Sequence, residues 1–463
     1  MGDEMRFDVV VAGAGMAGVA AAIAAAKNGA ITLLTDRFTF LGGNATAGLL
    51  GNFLTFHNMK GEVICAGIPQ EIVDGCIALG GAFPDHRGHL PNPYGNAYSV
   101  TPIDAEALKL VTQQLCVRAG VHLMLNTYTL GPILEGGRVA GIRVVNKSGE
   151  RVVRGTVVID ATGDADLAAA AGAPFQLGDE AGRTMSISLF FRLGGVDLDK
   201  HLAYVKQRPD QFMLGEDPYV GKSREQIAAG LTHWKDYPLV TGYYEAVKEA
   251  KARGEFHENR ERVVFSITTT PGIVTINSTS MLGYTPTDGE ALTRAALEGR
   301  EQVKAVTDFF RKYVPGFANA FVLDSASALG VRESRRIVGE HTLTTADCIA
   351  ARKSEQDIGQ GAYCLDVHEP SGKIVHKHVR DGEAYGIPYG CLVPKQVESL
   401  LVVGRPISSD RYANGSVRVQ AHIMAVGQAG GTAAAMCIAK PCSPRNLPVA
   451  ELREKLREQG AVV

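Results

Sequence analysis

The chain opens on an unbroken apolar run, Val9 to Ala12, without the polar alternation of a half-exposed strand. Such a run fits a strand buried on both faces of a parallel sheet. A turn over Gly13 to Gly18 follows, then an alanine-rich stretch, Val19 to Asn28, that predicts a helix. Ile31 to Leu34 predicts a second strand, closed by Asp36. Ile103 to Ala119 has helical amphipathic spacing, with Asp104 and Glu106 in its first turn. Val121 to Leu125 predicts a third core strand, and the segment from Gly136 reads as a meander ending in a buried strand, Val157 to Asp160.

Beyond about residue 180 the pattern changes. Short strands ("SISLFFRL", "VVFSITTT", "IVTINST") mix with amphipathic helices, the longest being "ALTRAALEGREQVKAVTDFFRKYV", stopped by Pro315 and Gly316. From about residue 385 the first pattern returns, with "SLLVVG" as a buried strand and "SVRVQAHIMAVGQAGGTAAAMCIA" as a small-residue helix. The expected architecture is α/β. A Rossmann-like nucleotide domain of parallel sheet with β-meander, residues 1–180 and 385–463, is interrupted by an α+β substrate domain, residues 181–384.

Composition narrows the partners. The 463 residues carry a net charge of -2, so no basic surplus exists to neutralise phosphates, and nucleic acid is disfavoured. Eight cysteines include no CxxC pair, which argues against a dithiol redox centre or a cysteine-ligated metal and fits reduced thiols in a cytoplasm. The apolar start lacks a basic n-region and is broken by regular glycines, so neither a signal peptide nor a membrane span is expected.

The spacing Gly13, Gly15, Gly18 is GxGxxG between a strand and a helix. The first glycine makes the turn, the second lets backbone approach a pyrophosphate, and the third lets helix pack on strand. The helix N-terminus then faces the phosphates. Asp36 suits a carboxylate that accepts from ribose hydroxyls. The same fingerprint serves NAD, so FAD rests on later segments: "LGGNATAG" after the second strand, "VIDATGDAD" after the meander, and "LLVVGRPISSD" near the C-terminus.

These segments, with "ALGVRESRRIVGEHTL", "IPYGCLVP" and "SVRVQAHIMAVGQAGGTAAAM", resemble the FAD-dependent oxidoreductase family of the glutathione-reductase-like FAD superfamily across nearly the whole chain. "GGN" followed closely by Thr46 is also similar to the flavin-facing segment of fumarate-reductase-type flavoproteins. The resemblance implies FAD and position-by-position roles. Gly13, Ala14, Gly15, Met16 and Ala17 would bind pyrophosphate; Asp36 and Arg37 the adenosine ribose; Thr129 would present backbone to adenine. Ala161, Thr162 and Gly163 would flank the cofactor, and Gly42, Gly43, Asn44, Ala45 and Thr46 would pass along the flavin. Gly404 and Arg405 would lie near the ribityl chain, and Arg418, in the first turn of the last helix, at the pyrimidine edge. Asp36 stands where Glu is more usual, and Arg411 and Tyr412 stand where relatives lead one to expect a histidine.

Candidates for the chemical step are Tyr412 and Arg411 as proton donor or carboxylate clamp, His57 at the flavin face, and Arg332 with Glu333 in the substrate cavity. His376 and His378 form an HxH without a third nearby ligand, so no metal site is expected. Asp164, Asp166, Asp381 and Glu383 read as turn or surface carboxylates. The expected function is an FAD-dependent dehydrogenase or oxidase acting on a small organic substrate at the flavin between two domains, with a separate electron acceptor. The alternative is a fumarate-reductase-like reductase of an activated carbon–carbon double bond. An RNA-modifying flavoprotein is disfavoured by the charge, and a homo-oligomer is allowed.

Overall fold

A computed structural model describes residues 4–215, 221–257, 260–369 and 372–463. The chain begins with strand β1 (Met5–Ala12), helix α1 (Met16–Lys27) and strand β2 (Thr32–Thr35). Helix α2 (Ala105–Arg118) starts at Asp104, whose side chain accepts from the backbone of Glu106 and Ala107. Strands β3 (His122–Met124), β4 (Tyr128–Glu135), β5 (Arg138–Asn146) and β6 (Gly149–Asp160) follow. Along β1, Val9 and Val11 enter one hydrophobic core while Val10 and Ala12 enter another. Both faces are therefore covered, which is why the sequence there does not alternate.

The central part forms a second sheet. Strands β7 (Phe191–Gly194), β8 (Leu239–Gly242), β9 (Val263–Ile267), β10 (Val274–Ile276) and β11 (Phe321–Ser325) pair antiparallel in the order β8-β9-β10-β7-β11. Helix α3 (Gly289–Tyr313) adds Val303, Val306, Phe309 and Phe310 to the core of this sheet. A hairpin of β12 (Leu365–His368) and β13 (Ile374–Lys377) precedes β14 (Leu400–Val402), helix α4 (Arg411–Val417) and helix α5 (Gln420–Ala439). Leu343, Cys348, Ile358, Leu365 and Val379, from the expected inserted segment, pack into the core formed by α1 and α5.

The first sheet has seven strands, β3-β2-β1-β6-β5-β4, with β14 also on β6. Long β6 uses its first half to pair antiparallel with β5 and its second half to pair in parallel with β14. The C-terminal part of the chain thus enters the sheet that the N-terminal part began.

The expected single C-terminal helix is two. It breaks at Arg418 and Val419, so α5 starts one residue after Val419 rather than at Ser416. By length and composition α5 could cross a membrane, but 83% of its most apolar window is buried inside the protein. It packs on α1 at near backbone contact. A Cβ on Gly427 would stand 2.2 Å from Ala17 O, and one on Gly431 2.0 Å from Ala21 O. All eight cysteines are free thiols.

Two outcomes follow from this packing. Gly431→Val must push α5 off α1 and is expected to cost at least about 1–3 kcal/mol, read by urea denaturation; an unchanged midpoint would contradict the close contact. The second concerns His201, which is 4% exposed and paired through Nδ1 with the Tyr243 hydroxyl at 2.7 Å. Burial lowers its proton affinity to about 3. Below about pH 6.5 the unfolded chain takes up a proton that the native state refuses. Stability is therefore complete above that pH and falls toward pH 3, by about 1.4 kcal/mol per unit for this group. Thermal unfolding between pH 7 and 4.5 should show this fall, and His201→Gln should make it shallower; a flat profile in the parent protein would refute the reading.

Candidate active site

Strand register sets the site. Ala12 pairs with Thr35 and with Asp160, and Asp160 pairs with Val402. Four carboxyl-terminal strand ends are therefore level, and the loops that follow them open on one edge of the sheet. They line an elongated cleft with Gly13, Gly15, Met16 and Ala17, with Asp36 and Arg37, with Ala161, Thr162 and Gly163, and with Gly404 and Arg405. Thr129 on β4 lines its far end.

The three fingerprint glycines have separate tasks. A Cβ on Gly13, at φ +102, would lie 2.4 Å from Ala161 O, and one on Gly18 1.9 Å from Gly13 O. A Cβ on Gly15 would meet nothing within 4 Å. That gap adjoins the first turn of α1, whose N-terminus has no side-chain cap. Backbone donors, dipole and free space together fit a pyrophosphate.

The "GGN" loop lies across this turn. Gly42 N donates to Ala14 O at 2.8 Å, and a Cβ on Gly43 would lie 2.8 Å from Gly15 Cα. Gly43 and Asn44 line the cleft. Ala14, Gly42, Ala45 and Thr46, expected to do so, are absent from its wall. Ala14 N donates to Asp36 Oδ2 at 2.6 Å, Ala45 is buried, and Thr46 Oγ1 donates to Leu41 O at 2.7 Å. These four shape the loops behind the surface.

Asp36 accepts from Ala14 N and, at 2.9 Å, from Phe38 N. Burial raises its carboxyl above the ordinary range against the pull of those bonds. Asp160 anchors the loop after β6, accepting from Thr162 Oγ1 at 2.7 Å and from Ala168 N at 2.9 Å. Arg405 donates twice to Gly163 O, at 2.9 and 2.6 Å, and to Val331 O and Asp164. Its role in the fold is thus to fix the glycine turn at the cleft. Asp164 and Asp166, expected as plain turn or surface carboxylates, line the cleft, paired to Arg405 and Arg335.

A second cavity of about 190 Å³ adjoins the cleft. Asn44, Leu50, Val331, Arg332, Arg418 and Gln420 line both. Arg418 ends α4 and lies in the break before α5, rather than in a first helical turn. It donates to Asp366 O at 3.2 Å and to Asp366 Oδ2 at 3.4 Å. Asp366 and His368, two apart on β12, share a face, and register puts His376 of β13 opposite Asp366. His376 Nε2 lies 3.1 Å from Asp366 Oδ1, and His368 Nε2 3.4 Å from Oδ2. Burial would raise the Asp366 carboxyl, but the imidazoles of His368 and His376 outweigh it and hold it well below the usual range. Burial keeps His368 neutral, with a proton affinity down to about 3.

Of the five residues expected at the chemical step, Arg332 alone reaches this cavity. It is buried, donating to Ser188 Oγ at 2.7 Å, Ser186 O at 2.8 Å and Asn277 Oδ1 at 3.1 Å. Arg411 and Tyr412 line neither cavity, which corrects their expected role. Arg411 pairs with Glu333 at 3.3 Å and Glu369 at 3.0 Å, and Tyr412 donates to Glu369 at 2.8 Å. They brace the hairpin. Glu333 turns the opposite way from Arg332, to Arg336 at 2.5 Å. His57 also lines neither cavity; its Nδ1 lies 3.0 Å from Ser99 Oγ, and burial lowers its proton affinity. The sequence reading missed Arg260, Tyr363, Asp366 and His368, which line the second cavity. The alternation in "LDVH" was the one usable signal. Among the described residues no group of three or more His, Cys, Asp or Glu could hold a metal.

The sequence matches the family described as "FAD dependent oxidoreductase" over residues 8–456. Digeranylgeranylglycerophospholipid reductase 1 of Methanopyrus kandleri is 30% identical over 176 residues, 34% of this chain and 40% of that protein. Reductase 2 of the same organism is 30% identical over 179 residues, 34% of this chain and 38% of that protein. The chain therefore spans well under half the length of the curated relatives it matches. A solved geranylgeranyl bacteriochlorophyll reductase-like protein from Thermoplasma acidophilum aligns over 99% of this chain and 85% of its own, at 16% identity and a TM-score of 0.47. L-proline dehydrogenase from P. horikoshii aligns over 100% of both chains at 12% identity and a TM-score of 0.42. With the family matched over nearly its full length, the chain belongs to the FAD dependent oxidoreductases, and it is an enzyme whose cofactor is FAD.

Proposed function

We propose that the chain is a dehydrogenase or oxidase that transfers a hydride between FAD in the strand-end cleft and a small polar substrate in the adjoining cavity. The observation that carries this is the common wall of the two spaces, built from Asn44, Leu50, Val331, Arg332, Arg418 and Gln420. Bound FAD supplies the hydride exchange; the protein supplies orientation, exclusion of water and a proton path.

In this reading Gly13, Gly15, Met16 and Ala17 hold the pyrophosphate, Asp36 and Arg37 the ribose, and Thr129 the adenine. Ala161 to Gly163 with Gly404 flank the middle of the cofactor, and Gly43 and Asn44 face the flavin. Asp366, held ionised beside His376 and Arg418, is suited to orient those two side chains at the cavity wall. The working unit combines residues 1–180 and 385–463 around FAD with 181–384 around the substrate. A small-molecule substrate and a separate electron acceptor are its partners, in a cytoplasm that keeps the thiols reduced.

Reduction of a carbon–carbon double bond is the second reading, favoured by the names of the two Methanopyrus kandleri reductases. Those names specify a phospholipid with two geranylgeranyl groups. The cavity here carries Arg260, Arg332 and Asp366, which a prenyl chain would desolvate with nothing in return. The reaction type, not the lipid, is the part that transfers.

Three outcomes test the proposal. Purified protein should be yellow and bleach with dithionite, and the photoreduced enzyme should be reoxidised without oxygen by an enoate if the second reading holds; a protein that takes up no FAD would sink both. Gly15→Ala should leave the FAD-free protein within about 0.5 kcal/mol of the parent, since its methyl meets no atom, yet weaken FAD binding on the order of tenfold. Equal affinity would remove Gly15 from the pyrophosphate site. Asp366→Asn should cut turnover roughly tenfold with FAD content unchanged, and unimpaired turnover would exclude it as a positioning residue.

A further inference from the structure

The cavity beside the cleft holds more positive than negative charge. Arg260, Arg262, Arg332 and Arg418 line it, and Asp366 is the only carboxylate among the described residues that does. Asp366 is already paired with Arg418 and lies within reach of two imidazoles. Arg260 and Arg332 are 5% and 8% exposed, yet neither forms an ion pair among the described residues. Among the described residues Arg332 meets hydroxyl, amide and carbonyl oxygens only. Arg260 donates through Nη2 to Thr279 O at 3.1 Å, and its buried Nε has no partner among the described residues. The Nε of Arg418 is likewise buried without a partner among the described residues.

Burying a cation against neutral acceptors is costly, and guanidinium groups that face each other add repulsion. Both effects are visible here. Burial and the neighbouring arginines lower the proton affinity of Arg332 to about 9 and that of Arg260 to about 10. A complementary anion repays the cost, and guanidinium forks match a carboxylate with two parallel hydrogen bonds. FAD cannot be the whole answer. Arg332 and Arg418 also line the cofactor cleft and could serve the flavin, whereas Arg260 lines the second cavity alone.

We propose that the substrate is a small organic acid whose carboxylate is gripped by Arg260 and Arg332. Asn96, Asn277 and Tyr363 line the same cavity and offer neutral contacts to the rest of the molecule. The charged groups of the cavity wall suit a small acid better than a long acyl chain, which would leave them desolvated. This inference rests on the reading of the two adjoining spaces as cofactor cleft and substrate cavity.

The test uses FAD-loaded enzyme at constant ionic strength, titrated with lactate, succinate and benzoate and with the corresponding amides, and read by the flavin absorbance spectrum. At least one acid should perturb the spectrum saturably, and its amide should bind roughly tenfold to a hundredfold more weakly. Arg260→Met should abolish that preference, while Arg260→Lys should retain part of it. Amides binding as well as acids, or an unchanged preference in Arg260→Met, would overturn the proposal. So would inorganic phosphate binding more tightly than every acid. If Arg260→Met fails to fold, the acid–amide comparison on the parent enzyme still decides. A yellow, dithionite-reducible enzyme that ignores every acid would defeat the carboxylate inference and leave the oxidoreductase reading standing. A protein that takes up no FAD would defeat that reading itself.

Discussion

Helices α1 and α5 meet with backbone nearly on backbone, at Gly427 over Ala17 and Gly431 over Ala21. No side chain fits between them, so their distance is set by the absence of Cβ atoms. Gly430 completes the arrangement on α5: a Cβ there would lie 2.6 Å from Val403 Cγ1. The helix is thus seated both on α1 and on the end of β14. Through this contact the last quarter of the chain is held to its first thirty residues. The N-terminus of α1 then faces the strand-end cleft, and Gln420, the first residue of α5, stands at the wall between cleft and cavity. Dispersion and close packing between α1 and α5 align the two helix starts on which the site depends.

Much of this was readable in the chain, because it depends on local rules. The double-sided strand β1, the turn at Gly13 to Gly18, the acid after β2 and the small residues of α5 each leave a short-range signature. The level strand ends follow from parallel pairing, so the cleft was foreseeable once the strands were known. The break at Arg418 and Val419 was not: nothing in "SVRVQAH" is a strong helix breaker, and the chain turns there because Arg418 is drawn to Asp366 of the β12–β13 hairpin. Ala14 and Thr46 were read as lining residues because they lie in the right loops. Whether a loop residue faces the ligand or its own backbone is decided by single hydrogen bonds that spacing does not reveal.

The wall of the second cavity was the least legible part. Arg260, Asp366 and Arg332 come from three segments that converge only when the second sheet packs beside the first. A buried arginine and a surface arginine look alike in sequence. Arg411 and Tyr412 were attractive because they follow a strand end, but Glu333 and Glu369 claim them first. Ionic partners supplied by distant elements thus turned an expected proton donor into a brace.

The contrast between Arg332 and Glu333 explains how these parts act together. Adjacent residues on an extended segment point to opposite sides. Arg332 enters the cavity, while Glu333 enters a buried network with Arg336, Arg411 and, through Arg411, Glu369. Ser334 Oγ donates to Gly163 O at 3.3 Å, and Arg335 donates to Asp164 O at 3.0 Å and pairs with Asp166. Four consecutive side chains therefore touch the second cavity, the ionic brace and the glycine loop of the strand-end cleft. A shift of this segment cannot alter one without the others. The two paired carboxylates of the brace fix Arg411 where no substrate reaches, and by holding Glu333 they fix the direction of Arg332. The Arg332 cation, without an ion pair among the described residues, is kept in place by a network of ion pairs one residue away, which allows its charge to remain available to a ligand.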